Sequence, residues 1–169
     1  MIKDRNVQVI VIFFVILAST ILFLKPSNED LVTQNLQKLS KSLSFDETIE
    51  EKQRNQKISQ FLELFSSKSL DIYIKPKFRT ALTIEDTAAL ELKTESLLSL
   101  VRAFELSFHN LNVKIMDSGE KAQIKTDAKI RLNSTDPEIL APMTFGFIKS
   151  SGQWKIQKVS TPENSELEI

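Results

Sequence analysis

Cysteine is absent from all 169 residues, and that one absence removes disulfides, thiol catalysis, thiolate metal sites and an N-terminal lipidated cysteine together. It leaves the compartment open, because a domain of this size is stable without cross-links. An excess of charge of either sign is missing too. The 22 basic and 22 acidic residues cancel to a formal net charge of zero, so the whole chain offers no electrostatic case for nucleic acid. Histidine and tyrosine occur once each, as His109 and Tyr73. No His/Asp/Glu spacing resembles a metal site, and no serine is paired with a base in a recognisable motif. Internal repeats, a Gly-rich phosphate loop and low-complexity linkers are absent as well. This reading assigns no catalytic residue, no metal and no cofactor.

What the chain does contain is apolar bulk: 41% hydrophobic residues with eleven phenylalanines, enough for a packed core. Residues 1–6 form a short polar tail, with Lys3 and Arg5 against Asp4. From Val7 to Leu24 there is no charge, and as a helix these eighteen residues would cover roughly 27 Å, close to the hydrocarbon thickness of a bilayer. A cleaved signal would end its apolar core before its small residues, but here Ala18-Ser19-Thr20 is followed by Ile21-Leu22-Phe23-Leu24. A helix packed on a domain of this size keeps one face toward water, whereas this segment is apolar on every face. The segment reads as an uncleaved, single-pass anchor in the cell membrane. The short basic N-terminus places that end in the cytoplasm and the domain outside it.

Lys25-Pro26 ends the span. Ser27-Asn28-Glu29-Asp30 resembles a capping box, and Val32, Leu36, Leu39 and Leu43 form one stripe of an amphipathic helix over 27–44. That helix either packs on the domain or stands as a juxtamembrane stalk. A second helix is expected from Asp46, a candidate N-cap, with Ile58, Phe61, Leu62 and Phe65 on its apolar face. Its run Glu50 to Arg54 is a solvated face with i,i+4 pairs. Extended sequence follows, Leu70 to Ile74 and Phe78 to Ile84, interrupted by Pro76, which requires an edge strand or a bulge. Glu85-Asp86-Thr87 reads as a turn. Ala88 to Lys93 suits either a short return strand or a helix start, and Thr94 can cap a helix through Leu97, Leu98, Val101 and Phe104.

The rest is an antiparallel meander. Leu111, Val113 and Ile115 give a first strand, with a parity shift from Leu106/Phe108 that marks a bulge near His109. After the turn at Asp117 to Glu120, apolar Ala122, Ile124, Ala128, Ile130 and Leu132 alternate with Lys121, Gln123, Lys125, Asp127, Lys129 and Arg131. One face is buried and one is wet. Asn133-Ser134-Thr135 matches a glycosylation sequon but is explained by turn chemistry before Asp136-Pro137. Met143, Phe145 and Phe147 share one side of a third strand. Ser150-Ser151-Gly152 turns into Trp154-Lys155-Ile156-Gln157-Lys158-Val159, and an acidic tail covers 161–169.

The closing Gly152-Gln153-Trp154-Lys155-Ile156-Gln157-Lys158-Val159, with the preceding Asp117 to Ile124, resembles the nuclear transport factor 2-like superfamily, which includes SnoaL-like proteins. The resemblance covers about residues 45–160, and its motifs are structural. It implies an α+β, cystatin-like cone: helices packed on a curved antiparallel sheet, here behind an N-terminal transmembrane helix. It also implies an apolar pocket in the cone, for which Phe61, Phe65, Phe104, Phe145 and Phe147 are the candidate lining. Enzymes of the superfamily place a carboxylate base in that pocket, and no such set can be placed here. The expected function is therefore a membrane-anchored, non-catalytic domain binding a partner protein or a small apolar ligand. The alternative is an isomerase, cyclase or dehydratase acting on a small apolar substrate. Lys121, Lys125, Lys129 and Arg131 form either a solvated strip or a docking surface for an acidic partner or anionic headgroups. Stacking two such strips would oppose like charges, so a monomer is favoured.

Overall fold

The computed structural model describes residues 26–67, 70–74 and 82–162. The expected span over 7–24, the segment holding Pro76 and Phe78, and the tail from 163 onward lie outside those residues. Among the described residues no helix is long and apolar enough to cross a membrane.

Helix α1 spans Asn28–Leu43 and opens on the expected capping box. Ser27 Oγ accepts from the Asp30 amide, and the Asp30 carboxylate accepts from the Ser27 amide. The helix is an integral part of the domain rather than a stalk before it. Val32, Leu36 and Leu39 are at most 3% exposed and belong to the same core as Phe147 and Ile156. Of the two roles expected for the 27–44 helix, packing on the domain is the one observed, because its apolar stripe covers the sheet. Helix α2, Glu51–Leu62, starts later than Asp46. The Asp46 carboxylate is instead occupied by the amide and hydroxyl of Thr48, which hold its pKa below the ordinary carboxylate value.

Helix α3, Thr87–Leu98, takes up the 88–93 stretch that suited either strand or helix and ends before the expected Val101 and Phe104. Its cap is Asp86, whose Oδ1 accepts from the Ala89 amide at 2.7 Å, so the expected turn is a helix start. Thr94 lies inside it, buried, and the chain is non-helical from residue 99 to the next strand.

The strands are β1 (Asp71–Ile74), β2 (Leu82–Ile84), β3 (Glu105–Met116), β4 (Lys121–Arg131), β5 (Ile139–Ser150) and β6 (Gln153–Ser160). They form one sheet in the order β2-β1-β6-β5-β4-β3. The sheet is mixed rather than antiparallel, since β1 runs parallel to β6. The cause is local: just after α2, Phe65 bridges Ile156 in parallel, and the chain continues in that direction as β1. The three helices pack on the sheet to form the cone.

Two irregularities bend the sheet. Between His109 and Asn112, β3 carries one extra residue against β4, as the parity shift implies. Asn110 sits there at φ 54°, its amide donating to Asp127 at 2.7 Å, while Thr126 Oγ1 donates to the His109 carbonyl. On β6 the register slips at Gln157, between Ile156 and Lys158. Opposite Lys158 stands Gly146, where a Cβ would lie 3.1 Å from the Lys158 Cβ, so a larger residue there would push Lys158 aside by a few tenths of an ångström. The 133–136 turn forms as expected, with Asn133 Nδ2 donating to Asp136 at 2.8 Å and Asn133 Oδ1 accepting from the Arg102 amide.

Candidate functional site

Beneath the helices the described side chains form one buried core, with a cleft of about 240 Å³ at its α1–β3 edge lined by Leu36, Ser40, Phe108 and Leu111. α1 crosses the helix-covered face from Gly119 of the β3–β4 turn and Lys149 near the end of β5, both of which lie against Asn28, to the start of β3. There Ser44 Oγ accepts from the Leu106 amide at 3.0 Å and Ser40 Oγ donates to the Leu106 carbonyl. Under this diagonal, Val32, Leu36, Ile124, Phe147 and Ile156 are all less than 2% exposed. Phe61, Phe65, Phe145 and Phe147, expected to line a pocket, are core residues at 2–6% exposure. Phe61 and Phe65 meet edge to face at 4.9 Å, and Phe145 does the same with Phe108. Among the described residues every buried polar side chain is a serine or threonine.

Phe104 departs from the other four. It stacks on Phe45 and the two exchange a pair of backbone hydrogen bonds, at the end of the sheet that carries the 133–136 turn. Together they line a surface cleft of about 380 Å³ with Asp46, Ala103, Glu105 and Arg131. Arg54 lies over the Phe45 ring at 4.8 Å and donates to the Leu98 carbonyl.

The basic strip on β4 is far less bare than its sequence suggests. Lys121 pairs with Asp117 at 2.8 Å, which raises its pKa through the hydrogen bond and the charge. Arg131 bridges Glu105 and Glu138, and Lys129 also reaches Glu138. Only Lys125 of the four has no ion-pair partner among the described residues. His109, on the same face as Asp127, makes its side-chain contact with Ser107 Oγ at 3.1 Å.

A different surface concentrates positive charge. α1 and α2 lie side by side, and the groove between them, about 620 Å³, runs toward the β5–β6 turn. Residues 31, 34, 35, 38 and 41 recur at helical spacing along its α1 wall, and residues 57, 60, 63 and 64 along its α2 wall. Lys38, Lys41, Lys57 and Lys155 line it against the single carboxylate of Glu63. None of these five forms an ion pair among the described residues. Lys57 Nζ donates to the Lys41 carbonyl at 2.8 Å and Lys155 Nζ to the Glu63 carbonyl, both at helix C-termini, where cations are favoured. A carbonyl does not cancel the charge. Gln34, Asn35, Gln60 and Gln153 add amides, with Asn35 donating to the Trp154 carbonyl at 2.8 Å. Trp154 contributes to the floor at 4% exposure, its Nε1 buried without a partner. Sequence reading missed this groove because its lysines come from three elements. The stripe flanking Leu36 and Leu39 was visible, but what faces it depends on how α1 and α2 pack.

No family model and no curated protein sequence matches the chain. Solved structures do. An NTF2-like protein of unknown function from Pseudomonas putida aligns with a TM-score of 0.62 at 12% identity, over 78% of this chain and 83% of its own. The yeast UBP3-associated protein BRE5 gives 0.61 at 11% identity, over 81% and 96%. An NTF2-like protein of Streptomyces avermitilis, provisionally named a dehydratase, gives 0.60 at 8% identity, over 78% and 92%. At such identities the likeness is one of fold: this chain has the NTF2-like, cystatin-like α+β fold.

Proposed function

We propose that this protein is a non-catalytic binding domain, held on a membrane by residues 7–24, that engages a partner protein through its surface. The observation that carries the reading is the burial of the expected pocket lining: Phe61, Phe65, Phe145 and Phe147 are 2–6% exposed and pack with residues of α1, β4 and β6 in one core. An isomerase, cyclase or dehydratase reading would need a titratable group there, and among the described residues the buried polar residues are serines and threonines. The fold by itself favours neither, since its neighbours include both a UBP3-associated protein and a provisionally named dehydratase. The uncharged run over 7–24 supports the anchor, and Lys3 and Arg5 before it support a cytoplasmic N-terminus with the domain outside.

Two measurements test this. The full chain is expected to stay with membranes through a carbonate wash, whereas a chain lacking residues 1–25 is expected to be soluble and folded. If the shortened chain still pellets, the anchor is wrong. An apolar dye such as anilinonaphthalene sulfonate is expected not to bind the shortened, folded chain, and saturable binding would reopen the cone as a ligand site.

A further inference from the structure

We infer that the α1–α2 groove is the docking site for an extended acidic segment of the partner protein. The inference rests on the partner-binding reading above and names the partner's chemistry. Charge complementarity carries it. The chain is neutral overall, yet this groove gathers four ammonium groups against one carboxylate. The neighbouring charge-rich surface shows the opposite arrangement, with three of the four basic residues on β4 neutralised by local carboxylates. Unneutralised like charges in one groove repel one another and destabilise the fold unless something anionic enters.

The shape and polar lining select a polypeptide. The lysines stand on both walls and at the β6 end rather than converging on one point. Four side-chain amides, each able to donate and to accept, are spaced among them, which suits the alternating groups of an extended backbone. Leu31, Leu64 and Trp154 supply an apolar floor for side chains between the acids. A compact phosphate would call for backbone amides converging on one spot, as at a helix N-terminus. The helix termini that meet the groove are C-terminal, marked by the Lys41 and Glu63 carbonyls, and the first turn of α1 is occupied by its own Ser27–Asp30 box. The acidic segment therefore lies along the groove, with its carboxylates at Lys38, Lys41, Lys57 and Lys155.

Fluorescence anisotropy of the full chain in neutral detergent, with a labelled peptide of alternating Glu and Ala about twelve residues long, tests this. Saturable binding is expected, weakening as salt rises, and absent for the Gln-Ala analogue. Lys38→Glu/Lys41→Glu is expected to weaken it by about tenfold or more. Both side chains are exposed, so circular dichroism should show the fold unchanged. Lys125→Glu on the opposite face is the control and is expected to leave binding as it was. No binding at low salt would overturn the proposal, as would equal loss with the Lys125 control. So would binding insensitive to the groove variant, or saturable binding of phosphatidylserine vesicles through the groove in place of the peptide. The carbonate extraction is independent of all these outcomes, so the anchored-domain reading can stand if the peptide fails.

Discussion

At the scale of the residue, Trp154 shows both how far alternation reads and where it stops. Its strand places it with Ile156 opposite Lys155, and both apolar side chains are buried as that parity requires. What the pattern does not carry is the state of the indole nitrogen, which depends on neighbours from another element. Trp154→Ala removes a large core side chain and is expected to cost about 3–5 kcal/mol, read as a sharp drop in the midpoint of chemical unfolding. Trp154→Phe should cost clearly less, because it also removes a buried N–H that has no acceptor. An unchanged midpoint for the alanine variant would show that the ring is no part of the core. His109 was legible in the same way: the parity shift announced a bulge, while the left-handed Asn110 that makes it, and the Asp127 contact that holds it, lie across strands.

At the scale of the element, signals that close within a few residues were read well and those that need a partner were not. The capping box at Ser27–Asp30 formed as expected, and so did the stripe through Val32, Leu36 and Leu39. Whether the stripe met the domain or stood apart could not be read from spacing, which is the same for a packed helix and a stalk. α3 was legible only in part, because 88–93 suits strand or helix and Asp86 and Thr94 are both competent caps. With the earlier start, Leu90 is buried in the core. The cap of α1 also sets a pH dependence. Hydrogen bonds from the Ser27 hydroxyl and amide hold the Asp30 carboxyl below its ordinary value. A depressed folded-state pKa contributes stability above the ordinary carboxylate range, and that contribution disappears as pH falls through the folded value. Asp30→Asn should therefore lower the thermal midpoint at neutral pH, and the gap to the wild type should close below about pH 4. A gap that persists unchanged at pH 2 would mean that the carboxylate charge is not what stabilises the cap.

At the scale of the whole molecule, a neutral chain has sorted its charges. The sheet face opposite the helices balances itself through Lys121–Asp117, Arg131–Glu105, Arg131–Glu138 and Lys158–Asp71, while the four lysines of the α1–α2 groove form no ion pair among the described residues. Composition hides this, because a sum over the chain is indifferent to where each charge sits. The arrangement bears on self-association. Two copies stacked through the sheet face would bury ion pairs that now lie at the surface, and lone Lys125 would enter without a partner, so desolvation opposes the contact. Two copies stacked through the helix groove would bring four lysines against four, which is worse. The chain without residues 1–25 is thus expected to sediment as a monomer at both low and high salt. Lys125→Glu/Lys129→Glu should leave it monomeric, since that reversal removes no self-contact. A wild-type dimer abolished by the reversal would identify the sheet face as the self-association surface. A dimer that strengthens with salt, as screening relieves lysine repulsion, would place the contact in the groove and compete directly with the acidic segment proposed for it.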